Sequence, residues 1–172
     1  MKIKLINQIF EVEKSFGFTI NQFDIESPFK IDRLLSTNVL EMEFSPNSIR
    51  ETSKNGEDPN EFLKGLFYSQ KLSEKDFKVI GEIGIIYYLE GFSDSEQEWG
   101  EDKPTFKRLL AKFVNNTVTN LNDCYLINKE WFRENSEKVR RREYDLYDFY
   151  FIIIWIDKND DSILYISEWF SD

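Results

Sequence analysis

The chain has 172 residues, of which 41% are hydrophobic, 16% aromatic and 31% charged, and its formal net charge is −10. This length is enough to bury a continuous core without disulfides or metal, and the composition is far from that of disordered chains. We therefore predict a single globular domain spanning residues 1–172. Histidine is absent, which excludes the commonest general base and the commonest zinc ligand.

The first third of the chain carries signals for two helices and a strand. From Leu5 onward, apolar residues follow helical spacing up to Gly17, which stands where a helix C-cap is expected, so a first helix is predicted. The Ser-Pro pair at residues 27–28 predicts a short second helix. Apolar and acidic residues alternate over residues 40–44, which predicts a half-buried strand. Residues 47–58 read as a polar loop.

The middle third is predicted to be helical. The Asp-Pro pair at residues 58–59 opens one predicted helix. Ser73 and Asp76 resemble a capping box and predict another helix over residues 77–87. Two glycines weaken this second helix by about 1 kcal/mol each, so a strand over residues 83–92 is the alternative.

The last third begins with the clearest amphipathic helix of the sequence. Pro104 precedes apolar residues at helical spacing from Phe106 to Val114. Residues 124–127 then predict a strand, and residues 130–142 a polar helix.

A β-hairpin is predicted at the end of the chain. Residues 149–156 and 163–170 are rich in β-branched and aromatic residues and flank a polar turn at residues 158–161. If Ile156, the last residue of the first strand, pairs with Ile163, the first residue of the second, then Tyr150 lies opposite Trp169. Strands that are apolar on both faces are normally central in a sheet. The predicted fold is α+β, with several amphipathic helices packed on a mostly antiparallel sheet centred on the C-terminal hairpin.

The negative charge is concentrated in two segments. Residues 143–172 contain eight acids, one base and nine aromatics, and residues 90–102 contain six acids and no base. Acidic surfaces attract basic partners, and tyrosine and tryptophan are frequent in protein interfaces. The candidate partner-binding residues in these segments are Tyr144, Asp145, Tyr147, Asp148, Asp160, Asp161, Glu168, Trp169, Glu96, Glu98 and Trp99.

Sequence motifs for catalysis and cofactors are missing. The seven glycines form no phosphate-binding loop, dinucleotide fingerprint or nucleophile elbow, so no catalytic residue and no cofactor is predicted. The single cysteine, Cys124, is interpreted as a small buried hydrophobe and suits a reducing compartment. The longest apolar run has eight residues, against about 20 for a membrane-spanning helix. A cytoplasmic location is expected.

One spacing resembles a calcium-binding loop. Asp157, Asn159, Asp161 and Glu168 occupy positions 1, 3, 5 and 12 of that pattern, and Ile163 could offer a carbonyl at position 7. Position 6 is Ser162 rather than glycine, the preceding segment is predicted to be a strand rather than a helix, and only four residues follow Glu168, too few for a second helix. A polar turn is the preferred interpretation, and no metal site is predicted.

Two other binding modes are weighed and set aside. The basic run Lys138 to Arg142 could contact phosphates, but the acids that follow it would repel a polyanion, so no nucleic-acid partner is expected. Glu101 and Lys103 form a nuclease-like pair, but they lie in a polar loop. Neither nucleic acid nor membrane is predicted as a partner.

The leading functional hypothesis is an acidic intracellular protein-binding module. The expected type is a bacterial immunity protein (antitoxin) or a phage-encoded inhibitor that neutralises a basic toxin or effector protein. Two alternatives stay open: a carboxylate-dependent enzyme that uses a divalent metal, and a structural or assembly subunit whose apolar hairpin is covered by a neighbour. The oligomeric state is not predicted.

Overall fold

The computed structural model describes residues 1–14, 16–26, 28–37, 39–41, 67–93, 102–117, 121, 123–139 and 149–171. These residues contain six strands and four α-helices. The strands are β1 (Ile3–Glu13), β2 (Phe16–Ile25), β3 (Lys78–Ile80), β4 (Cys124–Asn128), β5 (Phe149–Ile156) and β6 (Ile163–Ser171). The helices are α1 (Ile31–Leu35), α2 (Glu82–Ser93), α3 (Lys103–Thr117) and α4 (Lys129–Glu134).

The six strands form one antiparallel sheet in the order β1-β2-β6-β5-β4-β3. The β5–β6 hairpin therefore occupies the centre, and the predicted α+β class is confirmed. No helix in the described part of the chain is both long and apolar enough to cross a membrane.

Each face of the sheet carries its own core. On the face that we call the α2/α3 face, Phe18, Phe113, Phe151 and Trp169 lie together, with the Phe18 and Trp169 rings stacked at 6.2 Å. On the opposite α1/α4 face, helices α1 and α4 and several turns cover a second core that includes Phe132 and Tyr150. The hairpin is therefore buried on both faces by its own chain, which explains its two-sided apolar sequence.

The predicted first helix is wrong, because its residues form the edge strand β1. A β-bulge between Leu5 and Asn7 shifts the register of β1 against β2. The extra residue interrupts the two-residue alternation of the strand and gives its apolar positions an apparent helical spacing. Gly17 does not cap a helix. It lies within β2, where a Cβ atom would collide with the Phe170 ring.

The strand predicted over residues 40–44 is wrong for the part of it that the structure describes. Val39–Glu41 form a 3-10 turn rather than a strand, and residues 42–66 lie outside the described residues. The loop over residues 47–58 and most of the helix after residues 58–59 fall in that gap. The short helix predicted after residues 27–28 is present as α1, but it begins at Ile31 with Lys30 as its N-cap.

The capping box at Ser73 and Asp76 is present, although it closes a 3-10 turn, Glu74–Asp76, rather than a long helix. Strand β3 follows, and α2 begins only at Glu82. The strand alternative over residues 83–92 is wrong, because α2 spans them. Helix α3 and strand β4 match their predictions.

The polar helix predicted over residues 130–142 is shorter than expected. It is α4, which ends at Glu134 and is followed by a 3-10 turn over Ser136–Lys138. Val139 then forms an isolated bridge to Phe67.

Strands β5 and β6 lie where they were predicted, but their register differs by one residue. Ile156 pairs with Leu164, so Tyr150 is opposite Phe170 rather than Trp169. The difference arises in the turn, because the Asp160 carboxylate accepts a hydrogen bond from the Ser162 backbone N–H at 3.0 Å and holds Ser162 in the loop. The ladder then closes with the Asp157 N–H donating to the Ile163 carbonyl at 2.9 Å.

Candidate protein-binding surface

Acidic side chains from four parts of the chain meet at the end of the sheet where the β5–β6 turn lies. Asp24 pairs with Ile163 near the end of β2, Asp123 precedes β4, and Asp157 follows β5. We call this surface the acidic end. Its acids are Asp24, Glu26, Glu82, Asp123, Asp157, Asp160 and Asp161, all exposed except the half-buried Asp157. The lysines in the same strand ends and turn are Lys2, Lys4 and Lys158.

Hydrogen bonds within the β5–β6 turn hold two of these carboxylates in place. Asp157 accepts from the backbone N–H of Asn159 at 2.8 Å and from the hydroxyl of Tyr165 at 3.3 Å. Asp160 accepts from the hydroxyl of Ser162 at 2.6 Å as well as from its N–H. The hydrogen bonds from Ser162 lower the pKa of Asp160 below its ordinary value of 3.8. The turn therefore presents fixed negative charge, and a partner would not have to order it.

The field of the acidic end reaches the buried thiol of Cys124. Burial, followed by the charges of Asp123 and Glu82, raises the pKa of this thiol to about 12. The thiol therefore stays protonated at neutral pH and is unreactive. Its complete burial confirms the prediction that Cys124 is a small core residue.

A strip of exposed apolar side chains runs beside the acidic end. Ile83 and Tyr87, one turn apart on α2, are 70% and 69% exposed, and we call these two residues the apolar strip. Val79 on β3 is 57% exposed, but its register opposite Tyr125 directs it to the α1/α4 face. The exposed acids Glu82 and Glu90 lie on the same helix as the apolar strip. Large apolar residues flanked by acids are the combination that protein interfaces use for a desolvated centre and a charged rim.

A cleft of about 280 Å³ separates α2 from α3. Ile86, Leu89, Leu110 and Val114 contribute apolar walls, and Glu90 and Lys107 are its charged lining residues. Tyr88 lies on α2 but is half-buried, with its ring 5.4 Å from that of Phe151. Burial, and then the charge of Glu130, raise the pKa of Tyr88, so its hydroxyl stays neutral at physiological pH.

The structure separates the predicted partner-binding residues. Asp160 and Asp161 are exposed at the acidic end. Trp169 is fully buried, and Glu168 is 8% exposed and accepts a hydrogen bond from the Tyr150 hydroxyl. These two side chains belong to the interior and present almost no surface to a partner. The remaining candidates, Tyr144, Asp145, Tyr147, Asp148, Glu96, Glu98 and Trp99, lie outside the described residues.

The surface acids that were absent from the sequence-based partner-binding candidates are Asp24, Glu26, Glu82, Asp123 and Asp157. Asp24, Glu82 and Asp123 are far apart in the sequence, and only the strand order brings them to one end of the sheet. Each immediately flanks or ends an apolar strand or helix. That position was the one signal available in the sequence, and it is too common to single them out.

The residues of the calcium-like spacing lie in a β-hairpin and not in a helix-flanked loop. Asp157 binds its own turn, the Ile163 carbonyl accepts a ladder hydrogen bond, and Glu168 lies in mid-strand opposite Thr19 and Ile152. Within the described ranges no three His, Cys, Asp or Glu side chains converge as a metal site would require. The polar turn is the observed structure.

No protein-family model, curated protein or solved structure matches this chain.

Proposed function

We propose that the protein is an acidic binding module that neutralises a basic protein partner, as a bacterial immunity protein or a phage-encoded inhibitor would. The acidic end and the apolar strip are the proposed contact surface. The proposed compartment is the cytoplasm, where the buried thiol of Cys124 would remain reduced.

The observation that carries the proposal is the combination of fixed charge with exposed apolar surface. The acidic end has seven carboxylates, of which Glu26 is paired with Lys2, and the Asp157 and Asp160 carboxylates are held by hydrogen bonds within the turn. The adjoining apolar strip offers Tyr87 and Ile83 for desolvation. Acidic fields accelerate encounters with basic proteins, while buried aromatic contacts slow dissociation.

Affinity capture with a charge-reversed variant tests the proposal. Immobilised wild-type protein is exposed to a lysate of the source cells, and bound proteins are identified by mass spectrometry. We expect a basic protein that is retained by the wild type and released by salt. The variant Asp123→Lys/Asp161→Lys should bind this purified partner at least tenfold more weakly, because it reverses two exposed charges of the acidic end.

A matched control separates a local effect from a change in net charge. Glu134→Lys/Glu137→Lys makes the same charge change at two exposed positions that follow the opposite end of β4. It should bind the partner like the wild type. Equal binding by all three proteins would show that the acidic end is not the contact surface. If the wild type retains no basic protein, the inhibitor proposal itself is wrong.

A further inference from the structure

In the sheet formed by the described residues, strand β1 is a long open edge. It has 11 residues, and among the described residues only β2 pairs with it, on its inner side. Leu5, Ile6 and Val12 are 43%, 47% and 40% exposed. An exposed apolar edge strand is a template for pairing with another strand, and proteins normally blunt such edges with charges or by covering them.

The charge pattern of β1 is complementary to that of a second β1 strand that runs in the opposite direction. Lysines stand at its beginning, at Lys2 and Lys4, and glutamates stand at its end, at Glu11 and Glu13. Apolar residues lie between them. If β1 ran antiparallel to β1 of a second copy, Lys4 would lie opposite Glu11 of that copy, and the apolar residues would lie opposite each other.

Symmetry imposes a stricter condition, which the β-bulge satisfies. A two-fold axis between antiparallel strands stands perpendicular to the sheet, so residues that pair across it must point to the same face. Lys4 and Glu11 are seven residues apart, and in a regular strand they would point to opposite faces. The bulge between Leu5 and Asn7 corrects this.

The register of β1 against β2 shows to which face of the sheet each β1 side chain points. Lys4 pairs with Asp24 and Glu11 pairs with Phe18, and these partners, six residues apart in β2, share the α2/α3 face. By the same register, Ile3, Leu5, Phe10 and Val12 share the α1/α4 face. In this pairing the bulge counts as one position of the strand. Ile3 then lies opposite Val12 of the second copy, and Leu5 lies opposite Phe10. Ile9 lies opposite the bulge, and Gln8 lies opposite Gln8 of the second copy.

The charged residues of the edge remain accessible. Glu11 accepts hydrogen bonds from Lys112 of α3 at 3.1 Å, yet it is 38% exposed, and Glu13 pairs with Arg108 while 47% exposed. Lys4 is exposed as well. A lysine from a second copy could therefore join each of these pairs without displacing the helix residue.

We propose that β1 pairs antiparallel with β1 of a second copy, with Gln8 on the two-fold axis, so that two six-stranded sheets become one continuous sheet. Self-complementarity favours a second copy as the partner, because antiparallel self-pairing needs opposite charges at the two ends of the strand, and β1 carries them. The proposal does not depend on the function proposed above, since it uses the open edge of β1 and none of the carboxylates of the acidic end.

Light scattering and sedimentation at low ionic strength test the proposal. The wild type should have twice the mass of the 20.7 kDa chain at a concentration of about 100 μM, and should dissociate on dilution. Lys4→Glu and Glu11→Lys place like charges opposite each other at both ends of the interface. Each should raise the dimer dissociation constant about tenfold.

Mixing the two variants provides the decisive result. In a dimer of one Lys4→Glu chain and one Glu11→Lys chain, every substituted position faces an opposite charge, so the mixture should recover the dimer. The double variant Lys4→Glu/Glu11→Lys should recover it alone. Recovery also shows that both variants are folded. The control Lys78→Glu, on the exposed edge strand β3, should dimerise like the wild type.

Two results would overturn the proposal. A wild-type protein that stays monomeric to about 100 μM would mean that β1 remains open or accepts a strand of another protein. A dimer that neither single variant weakens, or that the mixture fails to restore, would place the interface elsewhere.

Discussion

The contact between Asp76 and Lys138 should stabilise the fold by a measurable amount. Asp76 accepts hydrogen bonds from the Ser73 backbone N–H at 2.7 Å and the Ser73 hydroxyl at 3.0 Å. Its other oxygen lies 2.5 Å from the Lys138 Nζ. The side chains of Asp76 and Lys138 are 7% and 23% exposed. The contact joins the turn before β3 to the segment after α4, two regions 62 residues apart.

The burial of the two side chains sets the expected loss of stability. Loss of a capping residue costs about 1 kcal/mol. Removing one partner of a fully buried ion pair costs about 3–5 kcal/mol, and an exposed pair contributes about 0–1 kcal/mol. Because water reaches Lys138, we take an intermediate value of about 2 kcal/mol for the pair. Asp76→Ala should therefore reduce the free energy of unfolding by about 3 kcal/mol, which lowers Tm by about 6–12 °C for a domain of this size.

Urea unfolding of a double-mutant cycle measures the pair itself. Asp76→Asn, Lys138→Met and the double variant should give a coupling energy of about 1–2 kcal/mol at pH 7. Burial alone would raise the pKa of Asp76, but the hydrogen bonds from Lys138 and Ser73 outweigh it, and the pKa lies below its ordinary value of 3.8. The stabilisation is therefore complete above the pKa of the unfolded chain and is lost as the pH falls through the lower pKa of the folded state. A coupling energy below about 0.3 kcal/mol, within the error of additivity, or one unchanged at pH 2, would refute this reasoning.

Three further outcomes are expected. Cys124 should react with a thiol reagent at pH 8 only as fast as the protein unfolds, because its thiol is buried and protonated; rapid labelling of native protein would contradict this. Gly17→Ala should destabilise the protein by about 2 kcal/mol or more in urea unfolding, because the added methyl group collides with the Phe170 ring; an unchanged midpoint would be inconsistent with the packing of β2 against β6. Ile85→Ala should reduce the free energy of unfolding by about 2–5 kcal/mol, because Ile85 is fully buried. Ile83→Ala should change it by less than about 0.5 kcal/mol, because the Ile83 side chain is 70% exposed. Similar losses for the two variants would disprove the orientation of α2.

Local signals in the sequence identified the elements whose pattern is uninterrupted. Helix α3 has a proline near its beginning and a regular apolar stripe, and strand β5 is a continuous β-branched and aromatic run. The pattern of β1 is interrupted by a bulge, and a single inserted residue is enough to make a strand resemble a helix. The capping box at Ser73 marked a helical start, but a capping box carries no information about the length of the helix.

The surface could be predicted only in part. Asp160 and Asp161 were found because a turn between two strong strands must be exposed. The burial of Trp169 and Glu168 could not be predicted, because both faces of β6 are buried and alternation no longer separates inward from outward residues. Asp24, Glu82 and Asp123 reach the same surface through strand order, which depends on contacts between distant parts of the chain.

The central position of the β5–β6 hairpin has a consequence for how the chain folds. Residues 149–171 join the β1–β2 hairpin on one side to β4 and β3 on the other, and these two halves have no strand pairing with each other in the described sheet. Phe16 must find Ser171 across nearly the whole chain. Contacts of such long sequence separation slow folding. On the ribosome, the sheet can close only after residues 149–171 have emerged, and until then the inner edges of both halves are exposed to aggregation.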